Sequence, residues 1–471
     1  MVGCEAMDDI YCIILAAGLG KRLSGDTPKA IASTREGALI DHVLDSVSVL
    51  SPKKTVVVVG HKRELVESHL KNSKHYASLG VTFALQESQQ GTGDAARSAL
   101  PALEGCTGTV IITYADHPLF KKETLEHFIE YHQHKKATLS MISFQASPPN
   151  SYGKIVRDRE GNIRSITENK DCNPEEKLIS EVNSGVYAVD SSFLKPALHA
   201  LTNENAQKEY YLTDIVQKAV EEGQTVAAFS LGDPSEAAGV NTLPDLAYVN
   251  SVLGGRQLRA LQESGVVFDA IETCTIEPGV KIESGARIGP GVHLAGNTTI
   301  ARGAYCEGYS RIVDTTIAEN AEVRLYCRIE SAAIGVRATV GPFAHIRPGT
   351  NLSADVRIGN FVETKNATLQ EGAKASHLTY LGDCSIGANT NIGAGTITCN
   401  YDGVKKSHTT IGDNVFIGSN SALVAPVIIE SGALVAAGSV ITKDVPKDSL
   451  ALGRAKQEIK ENWGSKRRTK A

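Results

Sequence analysis

The chain has no C-x-x-C pair, and its nine cysteines are odd in number and dispersed along 471 residues. That pattern excludes a disulfide framework and a Cys-rich zinc site, and it leaves reduced, mostly buried thiols. No apolar run reaches membrane-spanning length. Basic residues are missing ahead of the first apolar run, Ile10 to Ala17, which is preceded by Glu5, Asp8 and Asp9. A secretory signal carries basic residues there, so the run reads as a buried strand of a cytoplasmic protein. An excess of positive charge is missing too: the formal net charge is −5, which argues against a general nucleic-acid binder. Aromatics are few, and no segment is of low complexity. The one basic run, Lys466-Arg467-Arg468-Thr469-Lys470, reads as a solvated, frayed tail, with a role in holding an anion as the other reading.

The length allows two or three domains with large cores. Over residues 10–250, apolar runs alternate with charged amphipathic stretches. Tyr11–Ala17, Thr55–Gly60, Thr109–Tyr114 and Leu139–Phe144 read as buried parallel strands, and Lys62–Lys74 and Lys121–Lys135 as helices. Such alternation predicts a doubly wound α/β sheet with ligands at the carboxyl ends of its strands. The first strand runs into Leu15-Ala-Ala-Gly-Leu-Gly-Lys-Arg-Leu23. Gly18 and Gly20 let the backbone approach a phosphate, and Lys21 and Arg22 add charge. The loop is neither G-x-x-x-x-G-K-[ST] nor a complete dinucleotide fingerprint, so a structural turn is the competing reading. Pro28-Lys29 offers a further cation on a stiffened segment. Gln86 and Gly91-Thr-Gly-Asp-Ala95 form another glycine-rich loop, suited to a base edge and a nucleoside. Tyr114-Ala-Asp-His-Pro118 ends a strand with Asp116, a metal-holding carboxylate or else a cap for the next helix.

The second half carries a six-residue beat. Ile276, Ile282, Ile288, Leu294 and Ile300 recur every sixth residue, and Ile411, Ile417, Leu423, Ile429, Val435 and Ile441 resume it. A second beat follows four residues later at Val280, Ala286, Val292, Thr298 and Ala304, then at Val415, Ser421, Val427, Ala433 and Ser439. On an α-helix six residues turn the chain by about 240° beyond a full circle, which scatters those aliphatics. On a strand they stay on one face. The beat therefore predicts a coiled β-structure in which three hexads close a triangular coil, each coil stacking its aliphatics on the next. Each large aliphatic so buried contributes roughly 1.5–3 kcal/mol. The coil region is expected from about Val266 to Val445, after a linking helix over Leu243–Gln262. Between Ile392 and Ile411, Asn400-Tyr-Asp-Gly403 marks a loop that leaves the coil and can reach a neighbouring subunit.

The order L-A-A-G-x-G-x-R, P-K, Q-x-x-x-x-G-T-G and a strand ending in Asp resembles the sugar-1-phosphate nucleotidyltransferases. Tyr152-Gly-Lys154, Glu168-Asn-Lys-Asp171, Asn183-Ser-Gly185 and Gly239-Val-Asn241 match them as well. The hexad half adds Asn360-Phe-Val-Glu-Thr-Lys365, Ser376-His-Leu-Thr-Tyr-Leu-Gly-Asp383, Asn391-Ile-Gly-Ala-Gly-Thr396 and Cys399-Asn-Tyr-Asp-Gly403. Taken together, nearly the whole chain resembles the bifunctional bacterial enzymes that make UDP-N-acetylglucosamine. In these an N-acetylglucosamine-1-phosphate uridyltransferase is fused to a glucosamine-1-phosphate N-acetyltransferase.

The resemblance implies a Rossmann-like, mostly parallel α/β uridyltransferase domain over 1–243, a linker helix over 244–264, and a left-handed parallel β-helix acetyltransferase domain over 265–471. It implies Mg²⁺, UTP and acetyl-CoA as ligands, glucosamine-1-phosphate and N-acetylglucosamine-1-phosphate as sugar substrates, and a homotrimer. By the same resemblance, Asp116 and Asn241 would hold the magnesium. Gly18, Lys29, Gln86, Gly91 and Thr92 would hold the nucleotide, and Gly153, Glu168 and Asn183 the sugar. His377 would be the general base, with Arg347, Lys365, Tyr380 and Asn391 gripping the sugar phosphate. Ala394, Asn400, Tyr401, Lys406, Ser419, Ala437 and Arg454 would line the acetyl-CoA side. Two positions depart from the family pattern. Ala115 stands where glycine usually precedes the metal aspartate, and its methyl adds bulk beside the sugar or nucleotide; the run after Arg454 also differs.

The chemistry suits these residue types. A sugar amine resembles an α-amino group with a pKa of about 7.7–8, and an imidazole of ordinary pKa about 6.5 can take the proton it loses. Asp383 and backbone carbonyls are the candidate orienters of His377, and the amides of Gly393-Ala-Gly395 the candidate oxyanion donors. A surface histidine on a coil is the competing reading of His377. Two other architectures compete for the whole chain. One is a uridyltransferase whose β-helix is only a scaffold, as in ADP-glucose pyrophosphorylases. The other is a non-catalytic regulatory subunit of the same build, as in the translation-initiation exchange factor. His377, Lys365 and Asn391 argue against a scaffold, and Asp116 with the glycine loop against a decayed site.

Overall fold

A computed structural model describes residues 9–18, 23, 27–73 and 75–468. The chain divides into two compact units, Met1–Leu253 and Gly254–Ala471. In the first, the strands of the main sheet are β1 (Ile10–Leu15), β2 (Lys54–Val59), β3 (Val81–Leu85), β4 (Thr109–Tyr114), β5 (Leu139–Gln145), β6 (Lys154–Arg157), β7 (Ile163–Thr167), β8 (Glu181–Asp190) and β9 (Val226–Ser230). They lie in the order β9-β5-β8-β4-β1-β2-β3, with β6 beside β8 and β7 beside β6. The pairs β1–β2, β1–β4, β2–β3 and β5–β9 are parallel. The long β8 runs antiparallel to both β4 and β5, so the sheet is mostly parallel with one reversed strand inside it. The two expected helices appear as Arg63–Lys71 and Lys122–Lys135, with Lys74 outside the described residues.

All six residues of β1 are buried because helices cover both faces. Alternate side chains enter opposite cores. Tyr11, Ile13 and Leu15 join one with helices Thr92–Ser98, Ser191–His199 and Asp214–Glu221. Ile10, Cys12 and Ile14 join the other with helices Leu39–Val47, Arg63–Lys71 and Lys122–Lys135. The strand thus cannot shift register without exposing one set, and its carboxyl end is held still at the site.

The helix at the end of this unit spans Leu243–Glu263, one residue beyond the expected end. Val249 and Leu253 pack with Leu23, Leu39 and Val240. Leu258 and Leu261 instead pack on the core of the second unit, so the boundary falls inside the helix, after Leu253.

The second unit is a parallel β-helix. Its strands are mostly two or three residues long, and each pairs with the strand one coil later. Down one face Ile288 pairs with Cys306, then Val323, Val340, Ile358, Ala375, Ile392, Ile417, Val435 and Ala451. Every one of these except Ala451 is buried, so the hexad aliphatics form one continuous stack.

The coils also run unbroken through the stretch where the six-residue beat fades. There one corner takes five residues instead of six: Ile312 to Ile317, Ile329 to Ile334, Thr364 to Leu369 and Leu381 to Ile386 are successive core positions. Each short corner turns on a single left-handed residue, namely Asp314, Ser331, Asn366 or Asp383. Asn and Asp tolerate that conformation better than most side chains. Between Thr398 and Ile411 the same corner takes thirteen residues, and the excess is the expected loop. Among the described residues no helix is long and apolar enough to cross a membrane.

Candidate active sites

At the carboxyl ends of β1 and β4 lies a cavity of about 350 Å³. Six of the sequence-predicted residues line it: Gly18, Lys29, Gln86, Gly91, Thr92 and Asp116. Open space surrounds Gly18, whose backbone is bare to the cavity. Gly20, Lys21 and Arg22 lie outside the described residues. Gln86 is buried, and its Nε2 donates to Gly91 O at 3.1 Å and to Asp94 Oδ2 at 2.8 Å, which ties the strand end to the glycine loop. Gly91 has φ +113°, and a Cβ there would stand 2.5 Å from Tyr210 O, so only glycine fits.

Asp116 lies just past β4. It is no cap for helix Lys122–Lys135, whose flanking residue is Lys121. Instead it pairs with the Lys29 ammonium, and the same ammonium donates to Asn241 Oδ1 at 2.7 Å. Burial alone would raise the Asp116 carboxyl, but the positive charges of His117 and Lys29 and the Lys29 hydrogen bond hold it below the ordinary range. Burial also pushes His117 down, against the charge of Asp116, which raises it.

Two hard oxygens thus already share one positive charge. Magnesium favours such a set, taking one or two protein oxygens and completing its shell with substrate phosphates and water. Among the described residues no group of three His, Cys, Asp or Glu could hold a metal, and the oxygens on offer here are one carboxylate and one amide. Ala115 is 2 % exposed and packs into the core with Ile14 and Ile111, while also touching the cavity wall.

Gly153, Glu168 and Asn183 are brought together beside this cavity. The Asn183 N–H donates to Gly153 O at 2.9 Å, and a Cβ on Gly153 would stand 3.6 Å from Glu168 Oε2. Burial raises Glu168, and Asp171 and Glu209 add to it against a hydrogen bond from Thr213. Asp214 is pushed up to about 6, by burial first and then by Glu168 and Asp171. Sequence reasoning missed the segment 209–213. Glu209 lines the cavity, Gly93 N–H donates to Tyr210 O at 2.8 Å, and Leu212 N–H donates to Thr92 Oγ1 at 3.1 Å. No local motif marks it, because its partners in the glycine loop lie more than a hundred residues earlier.

The second site is set by register. Asn360 stands opposite His377. The pairings of Ala375 with Ile392, Ile392 with Ile417, and Ile417 with Val435 then put Ala394, Ser419 and Ala437 in the same column, two residues past each core aliphatic. Adjacent members are about 4.8 Å apart along the prism edge. Arg454 Nη1 donates back to Ala437 O at 2.9 Å at the far end of the column.

His377 Nδ1 lies 2.7 Å from Asn360 Oδ1. The amide oxygen only accepts, so Nδ1 carries the proton and Nε2 presents its lone pair. The expected orienter Asp383 is not the partner. It occupies a left-handed corner, where it accepts from Asn366 Nδ2 at 3.0 Å and pairs with Asn400. Of the expected oxyanion donors, Gly393 N–H and Gly395 N–H are spent on Ile417 O and Leu378 O. Ala394 N–H, in the His377 column, is the amide that stretch has left to offer.

On the next face, across the corner from His377, cations gather. Arg347 Nη1 donates to Glu363 Oε1 at 2.7 Å. Lys365 is held below the ordinary lysine range by the charge of Lys406 first and Arg347 second. Tyr380 stands opposite Glu363, and a side chain at Gly382 would strike its hydroxyl. Asn391 lies on the face that ends at the His377 column, opposite Lys374 and Phe416. Tyr401 projects from the loop, 60 % exposed, and bridges Lys406 within it. In Asn360→Ala, loss of the ring's orientation is expected to slow acetyl transfer about 10–100-fold while uridylyl transfer is unchanged. Thiol release and pyrophosphate release, assayed separately, check it.

An α/β sheet with a nucleotide-sized cavity, followed by a prism of hexad coils, defines a nucleotidyltransferase joined to a hexapeptide-repeat unit. Residues 11–234 match the nucleotidyl transferase family, 270–360 a GMPPB C-terminal domain and 408–443 the hexapeptide repeat of succinyl-transferase. The bifunctional protein GlmU of Geotalea uraniireducens is 42 % identical over 462 residues, covering 98 % of this chain and 100 % of that protein. Those of Streptococcus suis and Halalkalibacterium halodurans are 42 % and 40 % identical, over 98 % of this chain and 98 % and 100 % of theirs. The chain belongs to the GlmU family of bifunctional proteins.

Proposed function

We propose that the chain makes UDP-N-acetylglucosamine in two steps. It acetylates glucosamine-1-phosphate from acetyl-CoA at the prism edge, then transfers uridylyl from UTP to the N-acetylated sugar phosphate at the α/β sheet, releasing pyrophosphate. The observation that carries this reading is the column of Asn360, His377, Ala394, Ser419 and Ala437. A scaffold needs no histidine held by an amide beside three clustered cations.

In the first step the sugar amine attacks the thioester carbonyl carbon. His377 Nε2 takes the amine proton, Ala394 N–H faces the developing oxyanion, and the C–S bond breaks, the departing sulfur receiving that proton to leave as the thiol of CoA. Arg347, Lys365, Tyr380 and Asn391 grip the sugar phosphate. Asn400, Tyr401, Lys406, Ser419, Ala437 and Arg454 line the acetyl-CoA side.

In the second step the sugar phosphate oxygen attacks the α-phosphorus of UTP in line. Gly18, Gln86, Gly91 and Thr92 seat the nucleotide, Gly153, Glu168 and Asn183 orient the sugar, and Lys29 neutralises phosphate charge. Asp116 and Asn241 hold Mg²⁺, which when bound neutralises charge on the phosphates and the leaving pyrophosphate.

These activities map to 1–243 and 265–471, with 244–264 as the linker, in a cytoplasmic protein. The prism also supports a homotrimer. Tyr309, Tyr326, Phe343 and Phe361 stack in one column at 5.1–5.6 Å, each about half exposed, and Leu378 continues it beside His377. Contiguous exposed aromatics of this kind mark a contact surface.

The test is to incubate the protein with glucosamine-1-phosphate, acetyl-CoA, UTP and Mg²⁺, following free thiol and pyrophosphate separately. Both are expected, with pyrophosphate dependent on prior acetylation. Pyrophosphate without thiol would leave only the scaffold reading.

A further inference from the structure

Beside Asp116 stands a histidine that neither reaction uses. The His117 ring lies between Tyr114 and Phe120, at centroid distances of 5.4 and 6.4 Å. Its Nε2 is 3.9 Å from Asp116 Oδ1, beyond hydrogen-bond reach. Its Nδ1 is buried with no hydrogen-bond partner among the described residues. An unsatisfied buried nitrogen is rare in a folded protein and calls for a reason.

The reason lies on the ring's other side. A Cβ on Gly239 would stand 2.6 Å from Nε2 and 2.7 Å from Cδ2, so the ring fills the room that glycine leaves. Tyr114 and Phe120 block its retreat. One residue on, Val240 N–H donates to Asp116 O at 2.9 Å. One further, Asn241 Oδ1 meets the ammonium that pairs with Asp116. Segments 116–117 and 239–241 therefore form a clamp: ring against glycine, then a main-chain bond, then two side chains facing one cation.

We propose that His117 is a positioning residue of the nucleotidyl-transfer site, whose ring, seated against Gly239, sets the spacing between Asp116 and Asn241 at which a divalent cation is taken up. The inference rests on the reading that these two oxygens hold that cation. It concerns shape, since the ring lies beyond hydrogen-bond reach of Asp116 Oδ1.

Mn²⁺ serves as the probe, its binding to the full chain with UTP followed by the electron paramagnetic resonance of the free ion. Supporting partners of metal sites are typically worth about 10–100-fold in affinity. In His117→Ala, Mn²⁺ affinity is expected to fall about 10-fold and the KM for Mg²⁺ to rise by a similar factor, with kcat at saturating Mg²⁺ within about twofold. Gly239→Ala drives a methyl into the ring and is expected to cost more, up to about 100-fold. The double variant gives the added methyl the space the ring vacates, so it binds Mn²⁺ more tightly than Gly239→Ala alone. A general structural defect would add instead of cancelling.

The helical circular dichroism signal, which comes mostly from the first unit, reports that each variant is folded there. Should His117→Ala lose it, His117→Phe keeps a ring without nitrogens and is expected to bind Mn²⁺ within about threefold of the unmodified protein, the ordinary scatter of context effects. Unchanged Mn²⁺ affinity in folded His117→Ala, additive losses in the double variant, or a large loss in His117→Phe would each overturn the clamp. An unmodified protein that neither binds Mn²⁺ nor releases pyrophosphate overturns the site reading itself, which is a separate result.

Discussion

In His377→Ala, thiol release from acetyl-CoA is expected to fall by about 10²–10⁴, the usual span for a lost general base. Pyrophosphate release from UTP and N-acetylglucosamine-1-phosphate, supplied ready-made, is expected to stay at its full rate. The amine must lose a proton to form the amide, and in the variant only water is left to take it. Because Asn360 fixes the proton on Nδ1, the lone pair on offer is at Nε2 alone. The residual rate should therefore rise with pH as free amine accumulates near pKa 7.7–8. His377 is exposed at a coil corner, and its loss leaves the buried aliphatic stack intact, so unfolding is not the explanation of a slow variant. A variant that still releases thiol at the full rate removes the histidine from the mechanism.

The prism was legible in sequence because its core aliphatics repeat at one period. The sheet was legible because parallel strands buried on both faces read as unbroken apolar runs. Less legible were the coils between Ile300 and Ile411, where five-residue corners break the beat. Their left-handed Asp, Ser and Asn residues carry no local signal of a shortened turn.

Residues that line the cavity and the prism column could be picked out by order and spacing, but their partners could not. Asn360 lies seventeen residues from His377, one coil away, so only register reveals the pair. Asp383 looked like an orienter because it is near in sequence, yet its backbone conformation commits it to a corner. The segment 209–213 escaped notice because it reaches the cavity at the ends of β1 and β4 from a distant part of the chain. Lys29 joining Asp116 to Asn241 is of the same kind, since that contact spans 212 positions.

That junction makes Asp116→Ala the sharper probe of the other site. Removing the carboxylate takes away one of two oxygens for the cation and leaves the Lys29 ammonium without its ion-pair partner. Pyrophosphate release is expected to fall by at least about 10³, because this chemistry depends on positioning and charge neutralisation and little on covalent help from the protein. Raising Mg²⁺ should not restore it, in contrast to variants at His117 or Gly239, where both oxygens remain. Asp116→Asn keeps the shape and hydrogen-bonding capacity but drops the charge. If charge on that oxygen is what the cation needs, the asparagine variant is expected to be nearly as slow as the alanine. Acetyl transfer should proceed at its full rate in both, since the prism has its own core and its own cations. A well-folded Asp116→Ala protein that loses thiol and pyrophosphate release together would mean that the two reactions share a centre, and the division of labour between sheet and prism would have to be abandoned.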